Sequence, residues 1–367
     1  MLDKVKDRKR IFQLDLIRSL AILFTISIHF IYYIGYYQNT INGLSQYILT
    51  LMRTIFICCV PLFLLLSGYL MKKKCIKKSY YLRLIELILT YILCGILCQI
   101  FIFLAKGGKY PIEQAFLSFF SFKAAPYGWY VEMYIGLFLI IPFLNICWEN
   151  LELNNKKIII IVLLILTTLP SLFNIFDFSV EKWWIGSANN YTKLFPDYWS
   201  LVYPVTYYYL GCFIEENKSF FLSKIKIIWI IIFILLFGTL NFIKYYNNNF
   251  LWLKDTDYNS YQSVIMSVCI FILCLKIKDL PSNIKKIIFI LSNYSFEVYL
   301  ISYIFDSILY KIMHILIKSY NIKIFLYIIF VPLIIMLSIS LSFFIKIIVK
   351  ILENKLYKWI RVVYKIE

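Results

Sequence analysis

Residues 12–36 read FQLDLIRSLAILFTISIHFIYYIGY, and this stretch decides the class of the whole chain. A hydrocarbon core of about 30 Å is crossed by ~20 helical residues rising 1.5 Å each. The stretch exceeds that length and lacks the small-residue cleavage site of a secretory signal, so it reads as a retained membrane span. Outward from it the pattern repeats. Nine further apolar blocks, at about 47–71, 80–104, 128–147, 157–175, 198–216, 225–244, 260–276, 284–316 and 322–350, predict an all-α polytopic membrane bundle of about ten transmembrane helices. The block 284–316 is too long for one straight span, so its start is expected at the interface. No internal repeat or low-complexity linker divides the chain, and residues 1–367 read as one domain.

Composition agrees: 62% of residues are hydrophobic and 16% charged, against roughly 45–50% and about 25% in soluble domains. The net charge of +18 does not point to nucleic acid, because the basic residues form short tufts between apolar blocks rather than one wet face. Such tufts mark cytoplasmic loops. The N-terminal Lys4, Lys6, Arg8, Lys9 and Arg10, the 72–78, 156–157, 218–226 and 276–286 loops and the C-terminal tail hold most of the basic residues and fall on one side of a ten-helix chain. Both termini are therefore expected in the cytoplasm, with the protein in the cell membrane. The nine cysteines lie mostly inside apolar blocks without CxxC spacing, and no His, Cys or Asp cluster has ligand spacing, so no metal is expected.

Charges inside spans are the informative residues, since each costs at least ~2.5–3.5 kcal/mol in the hydrocarbon core. The first span holds Asp15, Arg18 and His29. Eleven residues bring His29 back to within about 20° of Arg18 and roughly 16 Å along the axis, and Asp15 lies one turn before Arg18. One face thus presents a carboxylate, a guanidinium and an imidazole. An imidazole can take a proton from a hydroxyl near neutral pH, whereas an arginine holds an anion or stabilises developing negative charge. The alternative is that Asp15 and Arg18 neutralise each other and His29 is an interhelical polar contact.

Four stretches carry a family resemblance. Leu14-Asp15-Leu16-Ile17-Arg18-Ser19-Leu20-Ala21 with His29 resembles the first helix of the membrane acyltransferase-3 family, whose signature is a basic residue, ten positions, then histidine. Val60-Pro61-Leu62-Phe63 with Ser67-Gly68-Tyr69, and Arg53 before them, resemble its second helix. Trp129 to Leu137 with Pro142-Phe143-Leu144 resembles its fourth, and Ser295-Phe296-Glu297-Val298-Tyr299-Leu300-Ile301-Ser302 its late serine-to-tyrosine-leucine segment. The resemblance implies an O-acetyltransferase that moves acetyl from cytoplasmic acetyl-coenzyme A to a hydroxyl of a sugar in an exopolysaccharide, capsule or other envelope glycan, or of a lipid-linked sugar. It makes His29 catalytic, with Arg18 its companion and Asp15 beside them. Two family histidines are replaced, by Tyr127 and Ser302, and Tyr80 and Arg83 stand where a basic pair often opens the third helix.

Arg83, Lys77 and Lys78 are then expected to meet coenzyme A phosphates. Trp129, Tyr130 and Glu132 are expected at the sugar acceptor, with Arg53 and Asp306 as further acceptor contacts. Glu86 is explained by an i, i+3 pair with Arg83, and His314 as an interfacial residue. A transporter or flippase for a lipid-linked sugar or anionic substrate would use the same intramembrane charges, although no pseudo-symmetric halves or paired broken helices are visible.

Overall fold

In lipid a single segment satisfies all its backbone N–H and C=O groups only as a helix, so long apolar runs dictate helices. The computed structural model describes residues 11–181, 183–184, 191–251 and 256–364, with side chains to residue 357. The basic N-terminal residues Lys4 to Arg10 lie outside the described residues. The chain is 77% helical, and no strand occurs among the described residues.

Twelve longer helices make the bundle: α1 (Phe12–Tyr33), α2 (Gly43–Phe56), α3 (Cys59–Met71), α4 (Leu84–Ala105), α5 (Trp129–Glu149), α6 (Leu153–Thr167), α7 (Tyr203–Glu216), α8 (Ile227–Lys244), α9 (Tyr261–Lys276), α10 (Ser282–Asn293), α11 (Ser295–Leu316) and α12 (Tyr327–Tyr364). Helix forms in all ten expected stretches. Eight segments among the described residues are long and apolar enough to cross a membrane. The other two fall short: α7 has 14 residues and α9 has 16, and 14 residues rise only about 21 Å.

Several expected spans are interrupted. Block 47–71 breaks at Ile57 and Cys58 into α2 and α3. Pro61 explains the break, because a proline has no N–H to offer the carbonyl four residues earlier, which is that of Ile57. The long block 284–316 divides at Tyr294 into α10 and α11.

α1 is the hub. It packs against α2, α3, α9, α10, α11 and α12, and most of its residues are buried. Beside it α3 and α7 cross at very short range, because each offers a glycine at the crossing. A Cβ on Gly68 would lie 1.9 Å from the Tyr208 carbonyl oxygen, and one on Gly211 would lie 2.2 Å from that of Leu65. Small residues that let backbones meet are how membrane helices gain packing without a hydrophobic drive between them. Gly68→Ala is therefore expected to force the two helices apart at a cost of about 1–3 kcal/mol. The check is the fraction of protein that stays monodisperse in detergent after heating; an unchanged melting curve would refute the crossing.

At one end of the bundle an ionic cluster ties α3, α5, α6 and α7 together. Lys72 pairs with Glu215 and lies 3.6 Å from Glu216, Lys156 reaches Glu216 at 3.0 Å, and the Trp148 indole donates to Glu216 at 2.9 Å.

Candidate active site

α1, α3, α5 and α11, with the loop ahead of α5, enclose a cavity of about 620 Å³. Arg18 and His29 from α1 line it, as do Val60, Phe63 and Ser67 from α3, Trp129, Tyr130 and Tyr134 from α5, and Ser295, Phe296 and Tyr299 from α11. Near Arg18 it meets a second cavity of about 680 Å³, which shares Arg18, Leu70, Leu87, Ser295 and Phe296 and adds Asp15, Arg83, Glu86, Glu297 and Lys346. Arg83 in turn belongs to a small pocket of about 190 Å³ with Lys73, Lys74 and Lys77. Arg83 is thus common to the cationic pocket and the second cavity, and Arg18 to the second cavity and the mostly apolar chamber that holds His29.

The chamber's far wall is aromatic. Tyr32, Tyr33, Tyr127, Trp129, Tyr130 and Tyr258 all line it. Trp129 and Tyr258 stack with ring centroids 5.4 Å apart. Flat aromatic faces in such an array suit the apolar faces of a sugar ring.

His29 is held from behind. Its Nδ1 lies 3.1 Å from Asp306 Oδ2 on α11, and Asp306 is fully buried. The Tyr127 hydroxyl donates to the same Oδ2 at 2.7 Å. With Nδ1 engaged by a carboxylate, the ring keeps its proton there and Nε2 is left as the nitrogen that can accept one from a molecule in the chamber. That is the arrangement in which a carboxylate fixes the tautomer and angle of a basic imidazole.

Arg18 sits at the junction of the two cavities. It lies 3.8 Å from Asp15 Oδ1 and donates to Ser292 Oγ at 3.3 Å, while the Ser292 hydroxyl donates to Asp15 at 2.7 Å. Asp15 therefore stands beside Arg18 and away from His29.

The remaining expected residues separate. Trp129 and Tyr130 line the chamber, whereas Asp306 lies behind His29 rather than at the chamber wall. Glu132 is exposed on another face of α5 and lines neither cavity. Arg53 is buried among loop residues, donating to the Tyr37 hydroxyl at 2.9 Å and the Thr256 carbonyl at 3.1 Å, with its guanidinium 4.5 Å from the Phe250 ring centre. Lys77 and Arg83 share the cationic pocket; Lys78 does not line it. The expected Arg83–Glu86 ion pair does not form among the described residues; both side chains face the second cavity instead. Nothing in the sequence marks Tyr33 or Tyr258 as chamber residues. Tyr127 had a signal, its place two positions before Trp129.

The stretches Leu14–Ala21 with His29, Val60–Tyr69, Trp129–Leu137 and Ser295–Ser302 fall on α1, α3, α5 and α11, the four helices that wall the chamber. A family model described as an acyltransferase domain, that of the acyltransferase-3 family, matches residues 11–347. The chain belongs to the acyltransferase-3 family. No curated protein and no solved structure matches it. As a member of the acyltransferase-3 family with eight membrane-length apolar helices, it is a multi-pass membrane protein with an acyltransferase frame. Within that family frame the departure at Tyr127 is structurally absorbed, since the tyrosine still meets His29 and Asp306. Ser302, the other departure, is buried and donates to the Tyr299 carbonyl within its own helix at 3.1 Å.

Proposed function

We propose that this acyltransferase moves acetyl from cytoplasmic acetyl-coenzyme A to a hydroxyl of a sugar in a cell-envelope glycan such as a capsule or exopolysaccharide. The observation that carries the reading is a chamber that sets an imidazole backed by a buried carboxylate beside an aromatic wall, next to a second cavity that shares Arg83 with a cation-lined pocket. The end of the bundle with Lys72, Lys73, Lys74, Lys77 and Arg83 is taken as cytoplasmic, in keeping with the positive-inside bias.

Lys73, Lys74, Lys77 and Arg83 converge on one pocket and suit the phosphates of the donor. Beyond Arg18, Leu66, Leu70, Leu87 and Phe296 line the way to the chamber and suit the donor's largely apolar arm. His29 Nε2 accepts the proton of the acceptor hydroxyl as its oxygen bonds to the thioester carbonyl carbon. The carbon–sulfur bond then breaks, and the imidazolium returns the proton to the departing sulfur. Transient acyl carriage on Nε2, the other route open to imidazole, uses the same orientation. Trp129, Tyr130 and Tyr258 hold the sugar against the imidazole.

The test supplies labelled acetyl-coenzyme A to membranes containing the wild type or His29→Ala at equal abundance. Label should enter ester linkages of envelope glycan with the wild type alone. If neither transfers acetyl while the protein moves a labelled lipid-linked sugar across the membrane, the reading gives way to a flippase, for which a cavity running through the bundle is also needed.

The cationic pocket gives a separate expectation. Lys77→Ala with Arg83→Ala should raise the KM for acetyl-coenzyme A by about 10-fold, taking roughly 0.5–1 kcal/mol or somewhat more from each phosphate contact, and leave kcat within about twofold. An unchanged KM would place the donor elsewhere.

A further inference from the structure

Tyr127 belongs to no expected function, yet it has more contact with the His29–Asp306 pair than any other side chain described above. Its hydroxyl donates to Asp306 Oδ2 at 2.7 Å, the oxygen that His29 Nδ1 meets at 3.1 Å. Its ring lies over the imidazole with centroids 3.9 Å apart and an interplanar angle of 33°. The Tyr33 hydroxyl lies 3.2 Å from the Tyr127 hydroxyl, and the Tyr299 hydroxyl on α11 donates to the Tyr127 carbonyl.

The loop that presents Tyr127 is itself fixed. Lys123 and Ala124 N–H groups donate to the Ser118 carbonyl at 2.8 and 2.9 Å, and the Gln99 amide on α4 donates to the Ala124 carbonyl at 2.8 Å. Gly128, next in sequence, packs so closely that a Cβ would lie 2.2 Å from the Phe122 carbonyl oxygen. The tyrosine is therefore delivered at a set height and angle.

Asp306 needs that delivery. Both of its hydrogen bonds use Oδ2, and among the described residues Oδ1 has no hydrogen-bond partner although it is buried. A carboxylate held by one oxygen can swing about its Cβ–Cγ bond, and the second donor opposes that swing. We propose that Tyr127 is a positioning residue: its hydroxyl locks the Asp306 carboxylate and its ring limits rotation of the imidazole, so that His29 Nε2 keeps one direction into the chamber. This rests on the reading of His29 as the group that meets the acceptor.

Tyr127→Phe keeps the ring and removes the donor. It is expected to lower kcat for acetyl transfer by about 10- to 100-fold, the scale of a misdirected reacting group, with the KM for acetyl-coenzyme A within about twofold. Tyr127→His restores an N–H donor on a ring of similar breadth and is expected to recover most of that loss. Rates are normalised to monodisperse protein, and His29→Ala is run alongside. If Tyr127→Phe matches the wild type while His29→Ala is inactive, the positioning role is refuted and the His29 reading stands. If Tyr127→Phe raises KM and spares kcat, Tyr127 binds substrate and the proposal fails. If Tyr127→His is as slow as Tyr127→Phe, the hydrogen bond is not what matters and the proposal fails. If His29→Ala retains full activity, the fault lies with the proposed function instead.

Discussion

His29→Ala is expected to lower acetyl transfer by about 10²- to 10⁴-fold, the range that a positioned general base contributes. The upper part of that range is favoured by what else lines the chamber. Among the described residues no carboxylate and no second imidazole lines it; apart from His29, Arg18 and Cys59 the titratable side chains there are tyrosines. The chain's other histidine, His314, cannot stand in. It donates to the Tyr33 carbonyl at 2.7 Å and accepts from Lys323 at 2.7 Å, so neither nitrogen is available. Initial rates with labelled acetyl-coenzyme A, at matched abundance, measure the loss directly. A variant within about threefold of wild type would mean that the imidazole is not the base.

Asp306 offers the second large effect and a way to separate geometry from charge. Because one oxygen takes both hydrogen bonds and the other has none, asparagine can place its amide oxygen on His29 and Tyr127 and its NH₂ in the unpartnered position. Asp306→Asn thus keeps the tautomer and the angle while removing the negative charge that steadies the imidazolium. Asp306→Ala removes both. We expect a fall of about 10²-fold for asparagine and on the order of 10³- to 10⁴-fold for alanine, the size seen when a buried carboxylate no longer holds its histidine. Equal losses for the two variants would mean that charge alone matters, and little loss in either would reduce Asp306 to a packing residue. A melting curve for each variant guards against reading instability as lost chemistry.

These two residues also show what the sequence could convey. The face carrying Arg18 and His29 was legible because helical periodicity fixes it without reference to any other segment. Asp306 was visible as a charge in a span, but its partner lies 277 positions away, and no local pattern states which distant helix it faces. Glu132, expected at the acceptor, does not line the chamber that its neighbours Tyr130 and Tyr134 line. At 100° per residue it lies about 200° from both Tyr130 and Tyr134, so the face that turns those rings inward turns Glu132 out. Arg53 lies apart from the chamber for a different reason, since an arginine in an apolar block reads alike whether it awaits an anion or is already held by tyrosine, a carbonyl and a ring face. α7 is shorter than its apolar block because the first residues of that block, Tyr198–Val202, form a 3-10 turn ahead of the helix. The Gly68–Gly211 crossing could not be inferred at all, because a glycine does not announce the backbone that approaches it.

The position of α1 has a consequence for how such a protein can diversify. A helix gripped by six others has no free side on which to try new residues, and any change along it is felt by several neighbours at once. Its face toward the chamber is therefore the one least open to change. The freedom to change what the chamber holds lies across from it, on the loop that carries Tyr127 and on the first turns of α5, where Trp129 is partly exposed. Descendants with new acceptors should differ there first, and should keep their first helix almost letter for letter.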